Sequence, residues 1–188
     1  FDLKFRGRSG HGSRPDLAVN PIVPAAHMVG ALDSLLRNRL EADAAVTLGL
    51  CRFQAGYTWN VIPETALLSG SARYFRRKDG EQVLRLLHSA ADSTAALYGC
   101  TVNYEPTTGV ILGPVVNDPA VSCRIGDTLA AVWGQDALSD CGAWYASETF
   151  SRYLERWSGA LGLLGIQNDV LGSGAPHHSG AFDMDENV

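Results

Sequence analysis

Within the first 106 residues, stretches of period two alternate with stretches of period near 3.6, and their order constrains the fold more than any single motif. Phe1, Leu3 and Phe5 alternate with Asp2, Lys4 and Arg6, the mark of a half-buried strand. Asn20-Pro21 predicts a helix start, with Asn as N-cap and Pro at the first helical position. Ile22, Ala25, Ala26, Val29, Leu32, Leu36 and Leu40 then share one helical face, and Arg37 and Arg39 suit the negative end of the helix dipole. Val46, Leu48 and Leu50 give a second strand, to about Phe53. A third runs from about Glu64 to Phe75, with Ala66, Leu68, Gly70, Ala72 and Tyr74 on one face and Leu67, Ser69, Ser71, Arg73 and Phe75 on the other. Asp79 with Gln82 predicts a capped helix start, Val83, Leu87, Ala90, Thr94 and Leu97 its buried stripe, and Gly99 its end. Cys100, Val102 and Tyr104 give a fourth strand. The order β-α-β-β-α-β is the split βαβ, ferredoxin-like arrangement: an antiparallel sheet with two helices on one face.

Residues 107–188 read differently. Asp118-Pro119 predicts a helix with Val121, Ile125, Leu129 and Val132 on its face and Gly134 at its end. Ser147 is the expected cap of another, with Glu148 in its first turn and Phe150, Tyr153, Leu154 and Trp157 buried. The apolar run Ala160–Ile166 suits a strand covered on both faces, as in a parallel sheet. One such strand cannot make a sheet. The sequence therefore reads as a complete module, 1–106, followed by the closing part of a mixed α/β domain whose opening part lies before Phe1.

The net charge of -5 disfavours a nucleic-acid surface, and the one basic run, Arg76-Arg77-Lys78, reads as a solvated strand end. Four widely spaced cysteines form no thiolate zinc motif and suit a reducing, cytoplasmic setting. No apolar run reaches the roughly 18 residues of a membrane helix.

Four places could carry chemistry. His11 lies between Gly10 and Gly12 in a strand-to-helix loop, where a bare backbone could present the imidazole to a ligand; an incidental histidine in a flexible connection fits as well. Asn60 sits in the loop before the third strand and reads either as a ligand or as a turn residue. Arg73 shares a strand face with Ser69 and Ser71, and could offer its planar fork to a carboxylate or end in a surface salt bridge. His177-His178 stand in a glycine-rich loop after the apolar run, where sites form at strand ends, and adjacent side chains diverge, so at most one of them is a metal ligand.

Taken together, these stretches resemble the di-zinc amidohydrolases and exopeptidases, the family of aminoacylase, hippurate hydrolase, auxin-conjugate hydrolase and glutamate carboxypeptidase. Gly10-His11-Gly12-Ser13-Arg14-Pro15, then Asn20-Pro21-Ile22, resembles the opening of that family's lid, or dimerisation, domain. Asn60-Val61-Ile62-Pro63, Ser71-Ala72-Arg73-Tyr74-Phe75, Ala146-Ser147-Glu148-Thr149-Phe150 and His178–Glu186 resemble its later motifs, in order. The resemblance implies a homodimer and hydrolysis of an N-acyl amino acid or small peptide. It gives His11 the role of oxyanion donor toward the partner subunit's site, Asn60 and Arg73 that of ligands of the substrate's carboxylate or nearby oxygens, and His178, counted back from Phe182, that of a metal ligand. Two divalent ions are implied, zinc first, with manganese, cobalt or nickel as alternatives. Thr149, Gly180 and Asp16 depart from the family pattern, and its other metal ligands and general-base glutamate match nothing here, so this chain alone is expected to be inactive. Two rivals stand beside this reading: a non-catalytic dimerisation or small-ligand module, and a catalytically dead relative.

Overall fold

The computed structural model describes residues 1–110 and 112–186; Ile111, Asn187 and Val188, which belong to the expected second part, lie outside the described residues. Its backbone follows the expected order. Strands β1 (Asp2–Arg6), β3 (Val46–Ala55), β5 (Thr65–Tyr74) and β6 (Thr101–Tyr104) form an antiparallel sheet in the order β3-β5-β1-β6. Helices α1 (Ile22–Arg39) and α2 (Arg77–Leu97) pack on each other and on one face of it. Two short strands had no signal in the alternation: β2 (Gly10–His11) and β4 (Val61–Ile62), which pair only with each other. Two residues are too few to set a period.

The core lies between helices and sheet. Leu3 and Phe5 of β1 and Ala66 and Leu68 of β5 point into it, as the period of two requires. The helices answer with Ala25, Met28 and Leu32 from α1 and Val83, Leu87, Ala91 and Ala95 from α2. Both helix faces differ from expectation by part of a turn. Met28 and Pro24 are buried in α1 while Ala26 and Val29 are exposed, and in α2 Leu86 is buried while Leu97 is exposed. An apolar residue beside the stripe looks the same in sequence as one within it; the crossing of α1 on α2 decides.

Helix ends show the local chemistry. Asn20 caps α1 through its side chain, Oδ1 accepting from Ile22 N at 3.0 Å, while Pro21 is already helical in backbone and stands just before the helix. Gly99 ends α2 with φ +70°, and the N–H groups of Gly99 and Cys100 donate to the carbonyls of Ala96 and Ala95. The start of α2 is a correction. The helix opens at Arg77, and Asp79 is not its cap. The Asp79 carboxylate, 2% exposed, accepts from Arg76 Nε at 2.7 Å. Arg76 also reaches Asp43, which holds that carboxyl below its usual range, while Lys78 reaches Glu41 and Arg77 reaches Glu155. The basic run is therefore a clamp, tying α2 to the loop before β3 and to the second part of the chain.

That second part contains α3 (Pro119–Trp133), capped by Asp118, whose Oδ1 accepts from Ala120 N and Val121 N. No side chain of α3 is buried. Two expectations fail here. The helix expected from Ser147 is only the turn α4 (Ser151–Leu154); the Glu148 side chain accepts from Phe150 N before it, and Tyr153 and Trp157 stay exposed. Ala160–Ile166 forms no strand. Among the described residues no segment pairs with it as a strand; the Asn117 side-chain amide brackets Leu161, donating to its carbonyl and accepting from its N–H, each at 2.9 Å, and Asp185 N donates to Ile166 O. Among the described residues no helix is long and apolar enough to cross a membrane.

Removing Arg76 leaves a buried carboxylate without its donor. Arg76→Met is expected to lower stability by about 2–3 kcal/mol, and Asp79→Asn in that background to recover part of it. Urea unfolding checks this, and a loss under about 0.5 kcal/mol would mean Asp79 does not depend on the guanidinium.

Candidate functional site

The loop that carries His11 is folded back on itself. Arg8 and Val19 exchange both backbone hydrogen bonds at 2.9 Å, closing residues 8–19 into a hairpin-like excursion. At its tip the β2–β4 ribbon sets His11 opposite Val61, and Gly12 N donates to Asn60 O at 2.8 Å. Two motifs fifty positions apart in sequence are thus one structural unit.

The two glycines beside His11 have a different role from the one expected. A Cβ on Gly10 would lie 2.7 Å from Ala18 Cβ, and one on Gly12 would lie 3.2 Å from Asn60 O. They let the loop close on Ala18 and on the Asn60 turn, so the histidine is held in place by contacts on both sides of it. The ring is exposed. Ser13 N donates to Nδ1 at 3.2 Å and the Ser13 hydroxyl lies 2.8 Å from the same nitrogen. A backbone N–H can only donate, so Nδ1 accepts and the neutral ring carries its proton on Nε2. The result is an outward N–H donor on a fixed ring. Asn60 receives the Thr58 hydroxyl on Oδ1 at 3.2 Å, and its amide nitrogen has no partner among the described residues.

Arg73 is elsewhere, set apart from His11 and Asn60 along β5. β5 starts at Thr65, opposite Arg6 and next to the His11 loop, and Arg73 lies eight residues further along. At ~3.3 Å per residue that is about 26 Å. Here β5 has run past the start of β1, since Asp2 pairs with Ser69, and only β3 flanks it, with Thr47 opposite Arg73. The open side faces residues of the second part. A cavity of about 300 Å³ lies there, lined by Arg73, Phe75, Leu84, Trp144 and Tyr145 among others. The Phe75 and Tyr145 rings stand 4.6 Å apart, and the Tyr74 hydroxyl donates to Leu112 O at 2.6 Å. The salt bridge that was the simpler reading of Arg73 is absent: among the described residues its guanidinium has no acidic partner.

His178 lies in an exposed turn with φ +66°. Its neighbour His177 packs instead on Trp144 and Phe182, at 5.9 and 5.1 Å between ring centroids. Among the described residues no group of three or more His, Cys, Asp or Glu could hold a metal ion. An exposed imidazole can serve as one ligand, but this chain's residues do not make a metal centre by themselves. All four cysteines are free thiols. What sequence reasoning missed at the site is Ala18 and Ser13, the packing and orienting partners of the loop; neither type is distinctive enough to signal that role.

The chain and its fold are similar to known proteins. The profile of the peptidase dimerisation domain matches residues 1–98, and the chain belongs to the M20 peptidase family through that domain. It is 24% identical over 190 residues to the IAA-amino acid hydrolase ILR1-like 4 of Arabidopsis thaliana, covering 100% of this chain and 43% of that one. It is 26% identical over 186 residues to the N-acetyl-L-cysteine deacetylase of Bacillus subtilis, covering 99% and 42%. The solved Bacillus subtilis YXEP protein, a dinuclear metal binding peptidase from the M20 family, superposes with a TM-score of 0.67 at 23% identity, over 99% of this chain and 45% of that one. The chain spans less than half the length of the curated relatives it matches.

The packing of Gly10 on Ala18 is directly testable. Gly10→Ala is expected to cost about 1–3 kcal/mol through the methyl–methyl clash, and Gly10→Ala with Ala18→Gly to restore most of it, since the exchange moves one methyl across the same gap. Denaturant unfolding of the two variants checks it; equal losses would mean the loop is not closed on Ala18.

Proposed function

We propose that this chain supplies two parts of a metal-dependent amidohydrolase that works as a homodimer. Residues 1–106 are its lid and pairing domain, and residues 107–188 belong to its catalytic domain. The substrate is an N-acyl amino acid or small peptide with a free carboxylate, and the bond cleaved is its amide. The names of the relatives, an IAA-amino acid hydrolase and an N-acetyl-L-cysteine deacetylase, support that substrate class.

One observation carries the reading. The lid bears an outward Nε2–H donor at one end, on the β2–β4 ribbon, and at the other, on β5, a guanidinium with no acidic partner among the described residues. Arg73 can grip a carboxylate through two parallel N–H···O bonds. His11 can donate to the carbonyl oxygen as negative charge develops on it, and Asn60 Nδ2 can take a neighbouring oxygen. A small substrate cannot touch both ends of a strand about 26 Å long. Each site therefore takes Arg73 from one copy and His11 with Asn60 from the other. The free edge of β3 offers the contact: among the described residues, nine of its ten residues are paired on one side only, beside a groove lined by Val29, Leu36, Leu48 and Leu50.

His178 provides one ligand of the metal pair, and the remaining ligands come from residues outside this sequence. Zinc is the proposed metal, and when bound it supplies Lewis-acid polarisation of the amide and a water of lowered pKa.

The shared site has a signature. His11→Ala and Arg73→Ala homodimers of the complete enzyme are each expected to lose hydrolysis. Mixing the two by dissociation and reassociation should restore about a quarter of wild-type activity, because half of the random dimers are mixed and each keeps one intact site. No recovery on mixing would rule out a site built from two copies.

A further inference from the structure

The end of the lid that carries His11 and Asn60 also carries two bare aromatic side chains. Trp59 is 94% exposed and Tyr57 86%, the most exposed aromatic residues of the lid. Single exposed apolar residues are ordinary; a pair on one turn beside two polar ligands is not. The turn itself is built. β3 is paired as far as Ala55, Gly56 turns the chain at φ +69°, Thr58 bonds Asn60, and Asn60 O accepts from Gly12 N. The backbone of Trp59 is therefore held in the turn just before Asn60, which leads into β4 beside the His11 strand.

We propose that Trp59, with Tyr57 beside it, forms the subsite for the acyl group and selects substrates whose acyl group is a flat aromatic ring. This rests on the reading in which His11 and Asn60 act on substrate bound by the second copy. In that arrangement Arg73 of the binding copy holds the carboxylate, and so the amino-acid half of the substrate. The other copy's turn arrives at the amide from the opposite side. The residue next to Asn60 then meets what remains of the substrate, its acyl group. An indole offers a broad apolar face that stacks on a ring and has little to hold an acetyl methyl.

The test uses the complete homodimeric enzyme with N-benzoyl-alanine and N-acetyl-alanine. Trp59→Ala is expected to lower kcat/KM for the benzoyl substrate about tenfold, mainly through KM, while the acetyl substrate changes less than about twofold, and Trp59→Phe to restore most of the loss. Equal losses on both substrates, a dimer that dissociates on gel filtration, or no change on either would overturn the proposal. His11→Ala, assayed alongside, separates the two claims. If it keeps full hydrolysis, the underlying reading fails; if it is inactive while Trp59→Ala is unselective, only the acyl subsite fails.

Discussion

Strand β5 is the constraint on which the rest depends. It is paired along both edges, with β1 on one side and, over nearly its whole length, with β3 on the other. Ala66 and Leu68 on its inner face anchor the core against both helices. Its first residues adjoin the ribbon that fixes Asn60 against the His11 loop, and its last reach beyond β1 to carry Arg73. A paired strand is stiff and its rise per residue is fixed. The distance between the two candidate ends is therefore a property of the fold, beyond the reach of side-chain rotation. Loop motion could move His11 by a few ångströms, but it could not bring it to Arg73.

The two parts of the chain bury their surfaces unequally. The lid has a closed apolar core, and among the described residues its fully buried charged side chain, Asp79, is paired with Arg76. In the second part the apolar face expected for α3 is unburied, and Ile125 and Val132 are exposed. Leu163 and Leu164, in the run expected to be a strand, are exposed as well. A face patterned for burial that finds no cover within its own chain is patterned for something else. Besides the bonds of Asp2 with Thr107 and Thr108 just past the boundary, three specific contacts tie the parts together: Arg77 with Glu155, Tyr74 with Leu112, Phe75 with Tyr145. All three lie at the Arg73 end of the sheet, so the cavity beside that arginine is fixed by the same contacts that join the two parts.

The lid was legible in sequence because its signals agree with one another. The alternation of β1 and β5, the Asn20 cap and Gly99 at a left-handed position all point the same way, and each is a local property of the backbone. What was not legible depends on partners far along the chain. The rotation of α1 and α2 is set where they cross, so Met28 replaced Val29 in the core. The run Ala160–Ile166 has the composition of a strand, but a strand exists only in a ladder. Arg76-Arg77-Lys78 looked solvated because Asp43, Glu41 and Glu155 are distant in sequence. At the site, His11, Asn60 and Arg73 stood out as residue types, yet their distribution over two ends of the lid follows only from strand register.

That distribution changes the meaning of the exposed groups. In a single chain, an Arg73 with no acidic partner among the described residues and a bare Trp59 are two costs with no return. In the proposed dimer they would be two halves of one cleft, the guanidinium meeting charge at one end and the indole covering apolar surface at the other. Gly10 and Gly12 fit the same logic. By letting the loop close on Ala18 and Asn60, they fix a donor that must arrive at another molecule already in position. A flexible loop would spend part of each encounter misaligned, and a fixed one loses nothing to reorganisation as charge develops. Rigidity at the His11 end and openness at the Arg73 end are thus complementary: one end is shaped to be inserted, the other to receive.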